Sequence, residues 1–372
     1  MALANLRLYL DNTAAAEEQL DLFREIRVDQ AIGMASEAEL EMDLTLDDQG
    51  LWSMIEEEFT QAFRRIRIEV KMGEGEYNAL IDGSIVAQRF ELGAGPGQSK
   101  LTLVVHDDSV LLNQIENVAL FEDQSPDQIA ETLITDGGLT AEVETVASAG
   151  SAYTRYVVQR GSAMQLLRDL ARRHGMFAYV KPGELPGQSI GVFARPSMVR
   201  GEASELLLVG EDRNIHKFSV QLDALLPMTV RAGDVRLSDS EILSSEANTA
   251  SLDPLGAQAI HSALSPQAVS LLNGAREEQN DLDAATAAAV DLSGFAYTAA
   301  TTEIDANDYD TVLSPYQVIS VAGPGGYLGG DYLISRVQHV INDSGYKQNL
   351  TLKRNARSAG SSGGSGLPGG VF

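Results

Sequence analysis

Gly360-Ser361-Ser362-Gly363-Gly364 has the GxSxG spacing of a serine hydrolase, in which a sharp strand-to-helix turn exposes the nucleophile. Here the motif lies in a run of glycine and serine that supplies neither strand nor helix. Gly93, Gly95 and Gly97 could bring backbone amides to a phosphate, but Pro96 interrupts them, no helix follows at once and GK[ST] is absent, so a hairpin loop is expected. The five histidines, His106, His174, His216, His261 and His339, show neither HExxH nor a pair at ligand spacing. Asp305, Asn307, Asp308 and Asp310 start like a calcium loop, yet the central glycine and terminal glutamate are missing, which leaves at most a weak acidic turn. Carboxylates are so abundant, 53 Asp and Glu, that a glycosidase pair can be neither excluded nor chosen. With no cysteine, disulfides and thiolate chemistry are excluded. The sequence assigns no catalytic residue, no metal ligand and no cofactor.

The elements that would position such groups give more. A chain of 372 residues exceeds one ordinary core, so two or three domains are expected. The formal net charge of −26 argues against an outward surface that grips phosphate backbones, so no specific nucleic-acid binding is expected. In a ring around a channel, the same acidity would let a polyanion pass without sticking. The N-terminal MALANLRLYLDNTAAAEEQ lacks a basic start, and its apolar run is broken by Asn5, Arg7 and Asp11, so no secretory signal is expected. No apolar run reaches the length of a membrane span, Ala284–Val290 being short and flanked by Asp283 and Asp291.

Period-two alternation dominates the first hundred residues. Ile66, Ile68, Val70 and Met72 interleave with Arg65, Arg67, Glu69 and Lys71, which predicts one buried and one wet face. Leu40, Met42 and Leu44 alternate with Glu39, Glu41 and Asp43 in the same way, and Leu101, Leu103 and Val105 mark a further antiparallel strand. Residues 51–59 read as a short amphipathic helix with Trp52 in the core. Later, Phe218, Val220 and Leu222, then Val230, Val235 and Leu237, resume the strand pattern, and helices are expected near 254–273 and 281–292. Val312–Val321 and Tyr332–Val340 predict strands around the turn Gly323-Pro324-Gly325-Gly326, with Leu350 and Leu352 in a last strand.

The best specified stretch is Tyr156 to Val180, YVVQRGSAMQLLRDLARRHGMFAYV. Ser162 can cap a helix, with Gln165 as the reciprocal partner of a capping box. Met164, Leu167, Leu170 and Ala171 recur at helical spacing, Arg168, Arg172, Arg173 and His174 load the C-terminal end where the dipole favours cations, and Gly175 stops the helix. Upstream, Ser125-Pro126-Asp127-Gln128 places a cap, a proline at the first helical position and a glutamine at the third before Ile129, Leu133 and Ile134.

Tyr156, Val158, Gln159, Leu167, Leu170, Arg173, Gly175 and Tyr179 resemble the signature segment of the phage late control protein D family, the baseplate hub of contractile tails, and of the hub portion of type VI secretion tip proteins. The resemblance covers about residues 60–195. It departs at His106-Asp107-Asp108, where the family carries an Arg-Pro-x-Leu-type element. It implies a mainly β fold with an α+β insertion: a first β-barrel domain over 1–107, an inserted α/β domain over 108–195, and return strands and a second β-barrel domain over 196–357 with helical elaboration near 240–308. Residues 358–372, ten of them Gly or Ser, read from composition as a flexible tail.

What the resemblance further implies is a structural baseplate hub, not an enzyme. Three copies would form a ring that adapts a three-fold central spike protein to the six-fold, hexameric tail tube protein, with baseplate wedge proteins as further partners. The particle would be a virion tail or an injection device assembled in the host cytoplasm. Because the chain stops after its tail, the spike is expected to be a separate polypeptide. Leu367, Val371 and Phe372 could anchor a partner. The alternatives are a hub-associated peptidoglycan hydrolase, for which no catalytic constellation is visible, and a β-rich cargo- or carbohydrate-binding protein, against which one Trp and dispersed Tyr argue.

Overall fold

The computed structural model describes residues 5–95, 97–146, 156–236, 239–265, 267–272 and 278–358. It is mainly β, with 45% of the described residues in strands against 16% in helices. The alternating segments at the N-terminal end become β1 (Asn5–Leu10), β2 (Phe23–Ala31), β3 (Glu37–Asp43), β4 (Arg65–Lys71), β5 (Tyr77–Glu91) and β6 (Lys100–Asp107). Leu8, Ile26, Val28, Leu40, Met42, Ile66, Ile68 and Leu103 come from five of these strands into one apolar core, so the sheet is rolled rather than flat. Gly83 lies where β5 crosses β6. A Cβ there would stand 1.8 Å from the His106 carbonyl oxygen, an approach only glycine permits.

The next part mixes helices and strands: α1 (Ser109–Asn113), β7 (Glu116–Glu122), α2 (Pro126–Asp136), β8 (Thr140–Val143), β9 (Tyr156–Ser162), α3 (Ala163–His174), β10 (Phe177–Pro182) and β11 (Ser189–Ala194). The expected capping of α3 is present. Ser162 Oγ accepts from the Gln165 amide at 3.2 Å, and Gln165 Oε1 accepts from the Ser162 amide at 3.1 Å. Gly175 ends the helix in the left-handed region at φ +66, which costs glycine little. In α2, Gln128 Oε1 accepts from the Ser125 amide at 2.9 Å. Ile129, Leu133, Ile134, Met164, Leu167 and Leu170 then form a second core with Phe193.

The last part holds β12 (Ser219–Leu222), β13 (Met228–Val235), β14 (Ile242–Ala247), β15 (Ala268–Leu271), α4 (Gln279–Ser293), β16 (Tyr297–Asp305), β17 (Val318–Ala322), β18 (Gly330–Asn342) and β19 (Gly345–Arg354). Its core gathers Leu206, Ile215, Ala299, Ile319, Val321, Tyr332, Ile334, Val337, Leu350 and Leu352. The two β-rich parts share one sheet, in the order β12-β16-β19-β18-β2-β3-β6-β5-β4-β1. The seam is the antiparallel pair β2–β18, registered from Arg336 opposite Ala31 to Asn342 opposite Glu25.

Four expectations need correction. Residues 51–59 form no α-helix: Trp52 makes a bridge to Leu46, Met54 adopts φ +64, and a 3₁₀ turn spans Glu58–Thr60. Trp52, Met54, Ile55 and Phe59 each pack on the first core from irregular backbone, so tertiary contact overrides local periodicity. Among the described residues of 254–273 only Ile260–Ala263 is α-helical and residues 268–271 are extended, as expected where proline and glycine punctuate the segment. The strand expected from Val312 starts at Val318, because Pro315 and Tyr316, the latter at φ +67, turn the chain first. Finally, the polar face of β4 is dry: Arg67 is 3% exposed and Glu69 6%.

Candidate functional site: the junction of sheet seam and insert

The buried face of β4 shows how the insert is fastened. Arg65 Nε donates to Asp82 Oδ1 at 2.7 Å and its Nη atoms donate to Asp108, Nη1 to Oδ1 at 3.1 Å. Arg67 Nε donates to Glu69 Oε1 at 2.8 Å and Nη1 to Asp82 Oδ2 at 3.1 Å. The same guanidinium donates to the carbonyl oxygens of Gly183 at 2.8 Å, Leu185 at 3.3 Å and Glu184 at 3.3 Å in the turn between β10 and β11. Asp82 Oδ2 accepts the Gly187 amide from the other end of that turn at 2.9 Å. A planar fork with five donors suits this task, since it serves two carboxylates and three carbonyls at once.

Next to the clamp, Asp107 accepts from the Ser36 amide at 2.5 Å and the Ser109 amide at 3.0 Å. Burial pushes its carboxyl above the usual carboxylate range. The His106-Asp107-Asp108 element, a departure from the resembling family, therefore anchors a loop and a helix start through Asp107 and receives Arg65 through Asp108.

A second fastening is aromatic. Tyr179 of β10 stacks on Tyr316 with centroids 3.8 Å apart and 10° between the planes, and Phe177 meets Tyr316 edge-on at 5.3 Å. The Tyr316 hydroxyl accepts the Gly33 amide, in the β2–β3 turn, at 2.9 Å. Tyr316 thus touches all three parts of the chain. Burial raises the Tyr179 hydroxyl to about 12 and that of Tyr316 still higher, so both stay protonated. Beside the stack is a cavity of about 320 Å³ lined by Gln30, Met34, Ser36, Lys181, Ser314 and Gln317 among others.

The seam is pinned by a hydrogen-bonded chain. Gln30 Nε2 donates to the Leu80 carbonyl at 2.6 Å, leaving Oε1 to accept from His339 Nε2 at 3.1 Å, while His339 Nδ1 lies 2.8 Å from the Tyr346 hydroxyl. His339 is fully buried, and this burial lowers its imidazole to about 3, so it is neutral with the proton on Nε2. At the rim, Arg336 makes a forked pair with Asp29, its Nε donating to Oδ1 at 2.7 Å.

The residues flagged for chemistry are dispersed. His106 pairs with Glu37 at 2.9 Å, His261 lies 3.0 Å from Ser293 Oγ, and His216 is 3.7 Å from Asp308. Asp305 folds back on Asn307 as a turn, its Oδ1 accepting from the backbone and side-chain amides. Among the described residues no cluster of three or more metal-ligating side chains occurs. The GxSxG run and the anchor candidates Leu367, Val371 and Phe372 lie outside the described residues. Arg65, Arg67 and Tyr316 were missed as joining residues; the only signal for the first two is a pair of arginines facing Glu69 on one strand face.

The profile described as the Alg8 N-terminal domain matches residues 15–343. The chain belongs to that family. For this Alg8 N-terminal domain protein no curated sequence matches. Its fold is that of tail proteins. The 43 kDa tail protein of prophage MuSo2 from Shewanella oneidensis superposes with a TM-score of 0.65 at 14% identity, over 94% of this chain and 98% of the other. A tail protein from Neisseria meningitidis MC58 gives 0.61 at 12% identity, over 95% and 96%. The E. coli c3393 protein, a component of the type VI secretion system similar to T4 tail proteins gp27 and gp5, gives 0.53 at 8% identity, over 96% and 79%. Among the described residues no helix is long and apolar enough to cross a membrane.

Proposed function

We propose that this chain is a structural baseplate hub of a contractile tail or phage-like injection system. Three copies form a ring around a central channel, and each copy offers its two β-rich halves to a hexameric tail tube protein. The opposite face of the ring holds a three-fold central spike protein, and wedge proteins attach outside. The observation that carries this reading is the seam: β2 and β18 join two rolled halves, each with its own core, into one continuous sheet. A subunit of that kind can present two β units as one body, and three such subunits present six.

The fastening of the insert supports the same reading. A load-bearing adaptor needs its parts fixed relative to one another, and the Arg67 clamp, the Tyr179–Tyr316 stack and the His339 chain each cross a boundary between parts. The formal charge of −26 suits a channel wall that must let a polyanion pass. Assembly would take place in the host cytoplasm, and the finished site of action is the tail baseplate of the particle.

Mass photometry of the purified chain, alone and with its cognate spike, tests the reading. A trimer in at least one condition is expected. A monomer at high concentration in both would overturn it.

A further inference from the structure

Resting on the three-copy reading, we infer that neighbouring copies meet head to tail, the outer face of the β7–β9 ribbon of one copy seated on the outer face of the small β14-β13-β15 sheet of the next. In the ribbon, Val158 pairs with Leu120 and Arg160 with Val118, so these four side chains share one face. The opposite face, with Val157 and Phe121, packs on the second core. On the outward face Val118 is 78% exposed and Leu120 55%.

The small sheet repeats the arrangement. Ala232 and Leu243 pack inward against Leu282 of α4. Arg231 is opposite both Glu246 and Leu271, and Val235 is opposite Ile242, which puts these residues on the outward face. Leu271 is 72% exposed and Ile242 79%.

Both faces are backed by helices that pack on one another: α3 behind the ribbon, α4 behind the small sheet, with Ala288 of α4 meeting the Gly175 cap of α3. The apolar faces therefore sit on opposite sides of a helix pair, and a closed ring of identical subunits requires two different patches on each. Charge favours a second copy as the occupant. Glu122 and Arg160 flank the ribbon's apolar centre and have no ionic partner among the described residues, whereas Arg231 and Glu246 of the small sheet, beside Leu271, pair with each other at 2.8 Å. Seating one face on the other lets Glu122 and Arg160 extend the Arg231–Glu246 pair into a network of alternating sign around an apolar middle, the usual anatomy of an interface.

The test uses the full chain with Leu120→Lys on the ribbon and Leu271→Lys on the small sheet, and Val118→Asp and Ile242→Asp as second variants at the same faces. All four positions are exposed, so the fold should hold and circular dichroism should match the parent. Each variant alone should weaken trimer formation at least about tenfold by mass photometry. A mixture of one ribbon variant with one sheet variant should give pairs and no trimers, because each pair retains a single intact contact. Loss of trimer with the ribbon variants only would mean ribbon-to-ribbon contact and overturn the inference. Trimers that persist in all four variants would overturn it while leaving the ring reading intact, and would do so equally if a tube, spike or wedge partner were lost instead. A parent chain that never trimerises removes the ring reading itself.

Discussion

Tyr316 lies flat against Tyr179 although its own backbone sits at φ +67, a region that side chains other than glycine's seldom occupy. The strain is held by contacts to three parts of the chain, through the ring to Tyr179 and Phe177, the hydroxyl to Gly33, and the backbone amide to the Ile334 carbonyl at 3.1 Å. Removing the ring and removing the strain are separable. Tyr316→Ala should destabilise by about 3–5 kcal/mol, since it deletes a packed aromatic and leaves the strain. Tyr316→Gly should lose less than alanine does, and Tyr316→Phe only about 0.5–1.5 kcal/mol, the value of one hydrogen bond. Urea denaturation of the three variants measures the order; alanine equal to phenylalanine would show that the ring contributes nothing.

Arg67 makes a different demand. Replacing it with Met leaves three turn carbonyls and two buried carboxylates short of a donor. Asp82 would still hold Arg65 at 2.7 Å and Glu69 would still face Arg7 at 3.6 Å, so the loss should fall near the low end of what breaking a buried pair costs, about 3 kcal/mol. Arg67→Lys should not rescue it, because one ammonium cannot span the Gly183–Leu185 carbonyls and Glu69 together. Limited proteolysis of the 183–187 turn gives a local reading: cleavage should accelerate in both variants, and an unchanged pattern would show that the clamp does not fix the insert.

The seam predicts a pH dependence of defined sign. His339 has its folded pKa lowered to about 3 from an ordinary 6.5, the cause being burial. Between these values only the unfolded chain takes up the proton. The stability is therefore complete above about pH 6.5 and declines as pH falls toward 3, by at most about 1.4 kcal/mol per pH unit from this group. Asp107, with a raised folded pKa, acts in the opposite sense over the acid range, so the histidine is isolated by comparison with His339→Gln. That variant should show a shallower decline between about pH 6.5 and 4.5 in urea titrations. Parallel curves would mean that the imidazole is not held neutral.

The capped helices and their buried faces were legible because their causes are local: Ser162, Gln165 and Gly175 act within one helix, and Leu167 and Leu170 follow its period. Arg67 was misread as solvent-facing because alternation within β4 says which side chains share a face, not what covers that face. Its cover comes from residues 183–187, more than a hundred positions away. Trp52 was rightly expected to pack, but its backbone was misread, since amphipathic spacing over nine residues cannot tell a helix from a loop whose side chains reach the same core. Tyr316 carried no signal at all: a stacked partner and a left-handed backbone are tertiary facts.

The C-terminal boundary gives the last prediction. By composition the Gly/Ser tail starts at Ser358. Ser358, however, belongs to the folded body. Arg354 is 2% exposed, and its guanidinium has no carboxylate partner among the described residues; Nε donates to the Leu255 carbonyl at 2.9 Å, Nη1 to the Gly329 carbonyl at 3.1 Å and Nη2 to Ser358 Oγ at 2.5 Å. Ser358 Oγ donates in turn to the Gly329 carbonyl. A buried cation served by neutral oxygens and, at 5.1 Å, by the face of the Tyr332 ring is sensitive to the loss of any one of those oxygens. Deleting residues 359–372 should leave the melting temperature unchanged, whereas deleting 358–372 should cost about 1.5–3 kcal/mol, the value of a hydrogen bond to a charged group. If Leu367, Val371 and Phe372 anchor a partner, the shorter deletion should also reduce co-purification of the spike or a baseplate subunit without changing stability. Equal melting of both truncations would show that Ser358 is dispensable, and equal recovery of every partner would show that the segment beyond it anchors nothing.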